Sequence, residues 1–170
     1  ISHNMEVEIA NYLNKVSEGR LSSESKLEIR GMLREVTEIE SIGDSCYNLA
    51  RTINRKRSGG NDFTEKQYEH IHQMMQLTDD ALAQMIAVVE DEHHAVDVNK
   101  SFNIENEMNN YRAQLKNQNV VDVNNKEYDY QMGVHYMDLI GECEKLGDYV
   151  VNVVEARTNV KEKKVGDNRW

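Results

Sequence analysis

The same acidic pattern occurs twice in this chain, inside long stretches without a helix-breaking proline. Residues 38–48 read EIESIGDSCYN and residues 142–152 read ECEKLGDYVVN, so both copies follow E-x-E-x-x-G-D-x-x-x-N. No proline occurs anywhere in the 170 residues. In both copies apolar residues recur three and four positions apart, which is the spacing of one face of an α-helix. The chain therefore contains two matching amphipathic helical segments. We call residues 38–48 the first motif and residues 142–152 the second motif.

The repeat extends beyond the motifs. NMEVEIANYL (4–13) matches NIENEMNNYR (103–112), and each segment lies one loop ahead of its motif helix. A third helical segment, 64–93, precedes the second repeat and has no counterpart before the first. Two three-helix units with the first helix absent are the simplest account. Because the chain also begins at Ile1, we expect it to be a piece of a longer protein.

Five long helices are expected, all antiparallel to their neighbours, and the fold class is all-α. Ser22 and the Thr64/Gln67 capping box indicate the starts of the second and third helices, and Asn124 with Glu127 indicates the start of the fifth. The predicted ranges are 3–17, 22–57, 64–93, 98–118 and 125–160. They form one helical domain over 1–160, with repeats at 1–57 and 64–160, followed by a charged tail at 161–170.

Composition excludes several functions. The formal charge of −10 argues against nucleic acid as a partner, because the phosphate backbone would be repelled. Cys46 and Cys143 lie within helical patterns and predict reduced, core-lining thiols. No run of apolar residues is long enough to span a membrane. No nucleophile–base constellation, phosphate-binding glycine loop or H-E-x-x-H motif occurs, and the E-x-x-H pairs on facing helices that a di-iron oxidase needs are missing. The chain is not expected to be an enzyme.

The repeated acids predict cation binding. Two carboxylates one helical turn apart repel each other, and no lysine shares their stripe, so a bridging cation would relieve the repulsion. Oxygen ligands at this spacing suit Mg, Ca or Mn, and also Fe or Zn if further ligands join. The glycine within each motif, costly inside a helix, indicates close packing. The predicted metal ligands are Glu40, Asp44, Glu144 and Asp148, with Asn48, Asn152, Glu6 and Glu105 as supporting residues. A solvated acidic surface that binds basic proteins without metal remains an alternative.

Both motifs resemble the signature of PhoU-like domains, the phosphate-transport regulators built from two three-helix bundles. The resemblance spans nearly the whole chain and five of the six helices. It implies a metal site at each E-x-x-x-D, with multinuclear iron or zinc as the family's association. The chain departs from the signature at Ser41 and Lys145, where arginine is frequent.

The sequence of residues 111–157 is similar to that of the PhoU-like domains fused to bacterial sodium/phosphate cotransporters. This implies a regulatory domain on the cytoplasmic side of the inner membrane, itself soluble. Its expected partner is the membrane part of the same transporter or another phosphate-uptake protein, and a second copy of the chain is a further candidate. The alternative within the family is a free-standing regulator of an ATP-driven phosphate importer.

Overall fold

A computed structural model describes residues 1–159, and the predicted tail at 161–170 lies outside this range. Within the described residues the chain forms five α-helices and no strand, which confirms the all-α prediction. The helices are α1 (Ser2–Ser17), α2 (Ser23–Ser58), α3 (Glu65–Glu90), α4 (Asn99–Asn124) and α5 (Tyr130–Thr158). None of them is long and apolar enough to cross a membrane. The division into repeats at 1–57 and 64–160 stays a prediction.

The predicted starts of α2 and α3 are confirmed by their caps. The Ser22 side chain accepts a hydrogen bond from the Ser25 amide, and Thr64 and Gln67 form both bonds of a capping box. The predicted junction between α4 and α5 is wrong. α4 continues to Asn124, and the N-cap of α5 is Asp129, whose carboxylate accepts from the Met132 amide.

Helix α3 is also shorter than the predicted 64–93, because it ends at Glu90. The Asp91 carboxylate accepts hydrogen bonds from the amides of His93 and Val96, and thereby folds the next residues into a loop. The predicted bend before α4 therefore has a local cause, which is an aspartate that binds the backbone just after the helix.

The core lies mainly in the second repeat. Helices α3, α4 and α5 pack on one another, α2 packs along α5, and α1 contacts α2 alone among the described helices. Apolar residues of α5 at positions 139, 143, 146, 150 and 153 are all but inaccessible to solvent. Because α5 touches α2, α3 and α4, it forms the centre of the molecule.

The α1–α2 pair has an apolar face that no described helix covers. Equivalent positions in the two repeats differ in exposure: Ile9, Val16, Met32, Ile39 and Cys46 are exposed, while their counterparts Met108, Leu115, Tyr136, Cys143 and Val150 are buried. Helix α3 packs on α4 and α5 in the second repeat, and the first repeat has no described equivalent. The prediction that both cysteines line a core is therefore wrong for Cys46.

The loop between α2 and α3 is fixed by an ion pair between the largely buried Lys56 and the exposed Asp62. The Lys56 ammonium contacts the Asp62 carboxylate, lies 3.0 Å from the Tyr68 hydroxyl and sits 4.7 Å from the centre of the Phe63 ring. Hydrogen bonds from Lys56 and Tyr68 lower the pKa of Asp62 to about 2. These contacts hold the end of α2, the glycine-containing turn and the start of α3 together.

Candidate functional site

The residues of each motif separate into two groups with different surroundings. Glu38 and Asn48 of the first motif, and Glu142 and Asn152 of the second, lie at the α2–α5 interface. Glu40 lies toward His3 of α1, Asp44 is exposed one helical turn further along α2, and Glu144 contacts Arg112 of α4. The pattern E-x-E-x-x-G-D-x-x-x-N therefore combines a helix-pairing function with an acidic surface.

The pairing residues are reciprocal. The Asn48 amide donates to the Glu142 carboxylate at 3.4 Å, and the Asn152 amide donates to the Glu38 carboxylate at 3.2 Å. Each motif's asparagine thus binds the first glutamate of the other motif, across antiparallel helices. This arrangement engages Asn48 and Asn152 between the repeats, and the supporting metal role proposed for them stays a prediction.

Each motif glycine faces the shorter helix of its own repeat. A Cβ placed on Gly147 would lie 2.9 Å from the sulfur of Met108 on α4, and one on Gly43 would lie 3.4 Å from the Ser2 hydroxyl on α1. The first of these distances is shorter than van der Waals contact permits. Gly147 thus leaves room for the end of the Met108 side chain, which supports the close-packing explanation for this glycine.

The first acidic face consists of Glu6 on α1 and Glu40 and Asp44 on α2, with His3 beside them. The His3 Nδ1 atom lies 3.3 Å from the Glu6 carboxylate and 4.0 Å from that of Glu40. One ligand atom from each of His3, Glu6 and Glu40 lies within 4.8 Å of the other two, the only such group of three among the described residues. This group fits a divalent cation, because it combines carboxylate oxygens with one imidazole nitrogen.

Electrostatics at this face favour a cation. Partial burial raises the pKa of Glu40 above its ordinary 4.5, and the neighbouring charges of Asp44 and Glu6 raise it further, while His3 acts in the opposite direction. A raised carboxyl pKa means that ionising Glu40 costs folding free energy at neutral pH. A bound cation would remove that cost.

The second acidic face consists of the counterparts Glu105 on α4 and Glu144 and Asp148 on α5. Burial raises the pKa of Glu144 and the charge of Asp148 adds to the shift, but Arg112 lowers it. The Arg112 Nε atom lies 3.7 Å from a Glu144 carboxylate oxygen. The sequence predicts that no lysine lies on the acids' own stripe, and the basic side chain found here comes instead from the neighbouring helix α4.

Glu105 and Asn109 belong to a buried polar stripe on α4. Asn109 donates to the Glu105 carboxylate, while Asn109 Oδ1 and the hydroxyl of the buried Ser101 have no hydrogen-bond partner. Residues 101, 105, 109 and 112 recur every three or four positions and so share one face of the helix. These oxygens are chemically suited to a hard cation, but they share their face with a guanidinium.

Sequence reasoning missed three contributors: His3, Arg112 and the pair Glu38 and Glu142. His3 lies one residue before the aligned segment that begins at Asn4, so extending the repeat by one position would have included it. Arg112 is the last residue of the aligned segment and faces Leu13 in the alignment, a difference that marks the two faces as unequal. Glu38 and Glu142 are the first acids of the repeated pattern itself.

Replacing Glu40 with glutamine should stabilise the metal-free protein at neutral pH. The raised pKa means that ionised Glu40 opposes folding above that pKa, and that the penalty disappears as the pH falls below it. We expect a melting temperature higher by roughly 1–2 °C at pH 7 and unchanged at about pH 3. Thermal melts in a chelator at both pH values, with Glu8→Gln as an exposed control on α1, measure the difference. A lower melting temperature for Glu40→Gln at pH 7 would contradict the repulsion.

Comparison with known families identifies one match. The sequence pattern of the PhoU domain matches residues 71–156, just over half of the chain. The matched range runs from the first turns of α3 into the last turns of α5 and includes the second motif. Neither the curated proteins nor the solved structures gave a match to the chain. The family match agrees with the all-α, five-helix architecture. The chain belongs to the PhoU domain family, which has a regulatory role in phosphate homeostasis.

Proposed function

We propose that this chain is the cytoplasmic regulatory domain of a sodium-dependent phosphate transporter and that a metal cation at the first acidic face takes part in the regulation. The observation that carries the cation is the convergence of His3, Glu6 and Glu40 within 4.8 Å. The transporter assignment is supported by the PhoU match and by the resemblance of residues 111–157 to fused PhoU-like domains.

The cation would act on α1. Among the described helices α1 contacts only α2, so its position depends on that single interface. An ion bound by His3 and Glu6 on α1 and by Glu40 on α2 would link the two helices and neutralise their mutual repulsion. The donor set suits Mn, Fe or Zn, and Mg or Ca through the carboxylates alone. Cation binding would thereby fix the surface that α1 and α2 present to a partner.

The partner in this proposal is the membrane part of the transporter. The face formed by α1 and α2 carries the exposed apolar residues Ile9, Val16, Met32 and Ile39 beside the acidic cluster. A surface that combines exposed apolar residues with charged ones suits a protein interface. The free-standing regulator of an ATP-driven importer would use the same surface. The upstream sequence of the same gene separates the two assignments, because only the fused protein encodes membrane spans there.

Phosphate uptake in cells tests this proposal. The chromosomal copy would carry Glu40→Gln with Asp44→Asn, and the matched control would carry Asp79→Asn with Asp80→Asn, two exposed acids on α3. We expect the first-face variant to lose the decrease in uptake that follows addition of phosphate, because neutral side chains bind cations weakly, and the control to retain it. Normal regulation in the first-face variant would overturn the cation's role.

A further inference from the structure

We infer that the guanidinium of Arg112 serves as a built-in cation at the second acidic face, so that this face binds no metal until Arg112 is removed. The inference rests on the proposed function for the first face, where the bound cation would be a metal ion. The two repeats then differ in the source of positive charge. The first acidic face would bind a metal ion from solution, whereas the second is neutralised by the side chain of Arg112.

The placement of Arg112 is the main observation. Its Nε atom is buried, has no hydrogen-bond partner and lies 3.7 Å from a Glu144 carboxylate oxygen. In the first repeat the equivalent position is Leu13, a buried apolar residue that brings no charge to Glu40. A guanidinium stays protonated at every pH that the folded protein tolerates, so its positive charge beside Glu144 is permanent.

A second difference concerns the nitrogen ligand. The counterpart of His3 is Phe102, which is buried in the core and cannot coordinate an ion. The second face therefore lacks the imidazole of the first face, and no three ligand atoms from His, Cys, Asp or Glu converge there among the described residues. A metal ion at Glu144 would have fewer ligands and would also be repelled by Arg112.

The oxygens needed for a cation are nevertheless present. Ser101 Oγ and Asn109 Oδ1 are buried acceptors without a partner, and the Ser101 side chain is only 1% exposed. These two oxygens lie about two helical turns apart on the face of α4 that also carries Glu105 and Arg112, and the Arg112 guanidinium extends from this face to Glu144. Removing that charge should let a hard divalent ion bind there.

Titration with MnCl₂, followed by the electron paramagnetic resonance signal of free Mn²⁺, tests the inference. The wild type, Arg112→Leu and Arg112→Lys are compared, because leucine is the residue of the first repeat and lysine keeps the charge. We expect one bound ion in the wild type and in Arg112→Lys, and two in Arg112→Leu. Adding Glu144→Gln and Asp148→Asn to Arg112→Leu should return the number to one. If Arg112→Leu does not melt cooperatively, Arg112→Gln replaces it.

The outcomes separate the inference from the proposed function. Two ions in the wild type, or one ion in both the wild type and Arg112→Leu, would overturn the inference while leaving the first site in place. No ion in the wild type and one in Arg112→Leu would uphold the inference and overturn the cation at the first face. No ion in any variant would overturn both.

Discussion

Replacing Met108 with alanine is expected to lower the free energy of unfolding by about 2–5 kcal/mol, whereas Ile9→Ala should lower it by about 1 kcal/mol or less. The two residues occupy equivalent positions of the two repeats. Met108 is 0% exposed and Ile9 is 39% exposed. Urea denaturation followed by circular dichroism measures both variants under the same conditions.

The difference follows from what covers each residue. Met108 contacts Gly147 of α5 in a closely packed region, so its truncation leaves a cavity that the rigid helices cannot fill. Ile9 lies on the uncovered face of α1, where a shorter side chain leaves little more than exposed surface. Equal losses for the two variants would show that the first repeat is covered as well, for example by a second copy of the chain.

Removing the two reciprocal asparagines should also destabilise the protein strongly. Asn48→Ala and Asn152→Ala each remove a hydrogen bond to a half-buried carboxylate. We expect each variant to lower the free energy of unfolding by about 1–2 kcal/mol, a net value that includes the higher helix propensity of alanine. Because the two bonds are far apart along the helices, the double variant should lose about 2–4 kcal/mol. Denaturant titration measures the three variants.

Asn110→Ala is the matched control, because Asn110 is an exposed asparagine inside α4. Its replacement should leave stability unchanged or slightly raised. A double-mutant cycle between Asn152 and Glu38 isolates the pair itself. If Asn48→Ala and Asn152→Ala were as harmless as the control, the repeated asparagines would have no part in pairing α2 with α5.

Local signals made most of the fold predictable. Ser22 and the Thr64/Gln67 box are side chains that bind backbone amides a few residues away, so their effect can be inferred without tertiary contacts. The junction of α4 and α5 was predicted wrongly, because two alternative caps lie close together and Asp129, not Asn124, is used. The backbone of Lys126 adopts a positive φ of 60° there, and the Glu127 amide donates to the Asp122 carbonyl, which ends α4 later than predicted.

Only the arrangement of the acids within each helix could be predicted from the sequence. The stripe of Glu40 and Asp44 follows from helical spacing, and so does that of Glu144 and Asp148. The neighbouring helix is what distinguishes the two stripes, and its register cannot be deduced from the spacing within one helix. Arg112 reaches Glu144 from α4, and His3 reaches Glu40 from α1. The reciprocal pairing of Asn48 and Asn152 likewise depends on how α2 meets α5.

The central claim is that a cation binds between α1 and α2, and anomalous diffraction tests it most directly. Crystals of the wild-type protein soaked in MnCl₂ would be measured on both sides of the manganese absorption edge. The account predicts a peak bounded by His3, Glu6 and Glu40, and none between α4 and α5. A peak beside Glu144 and Asp148 with none at the first face, or no peak at either face, would contradict it.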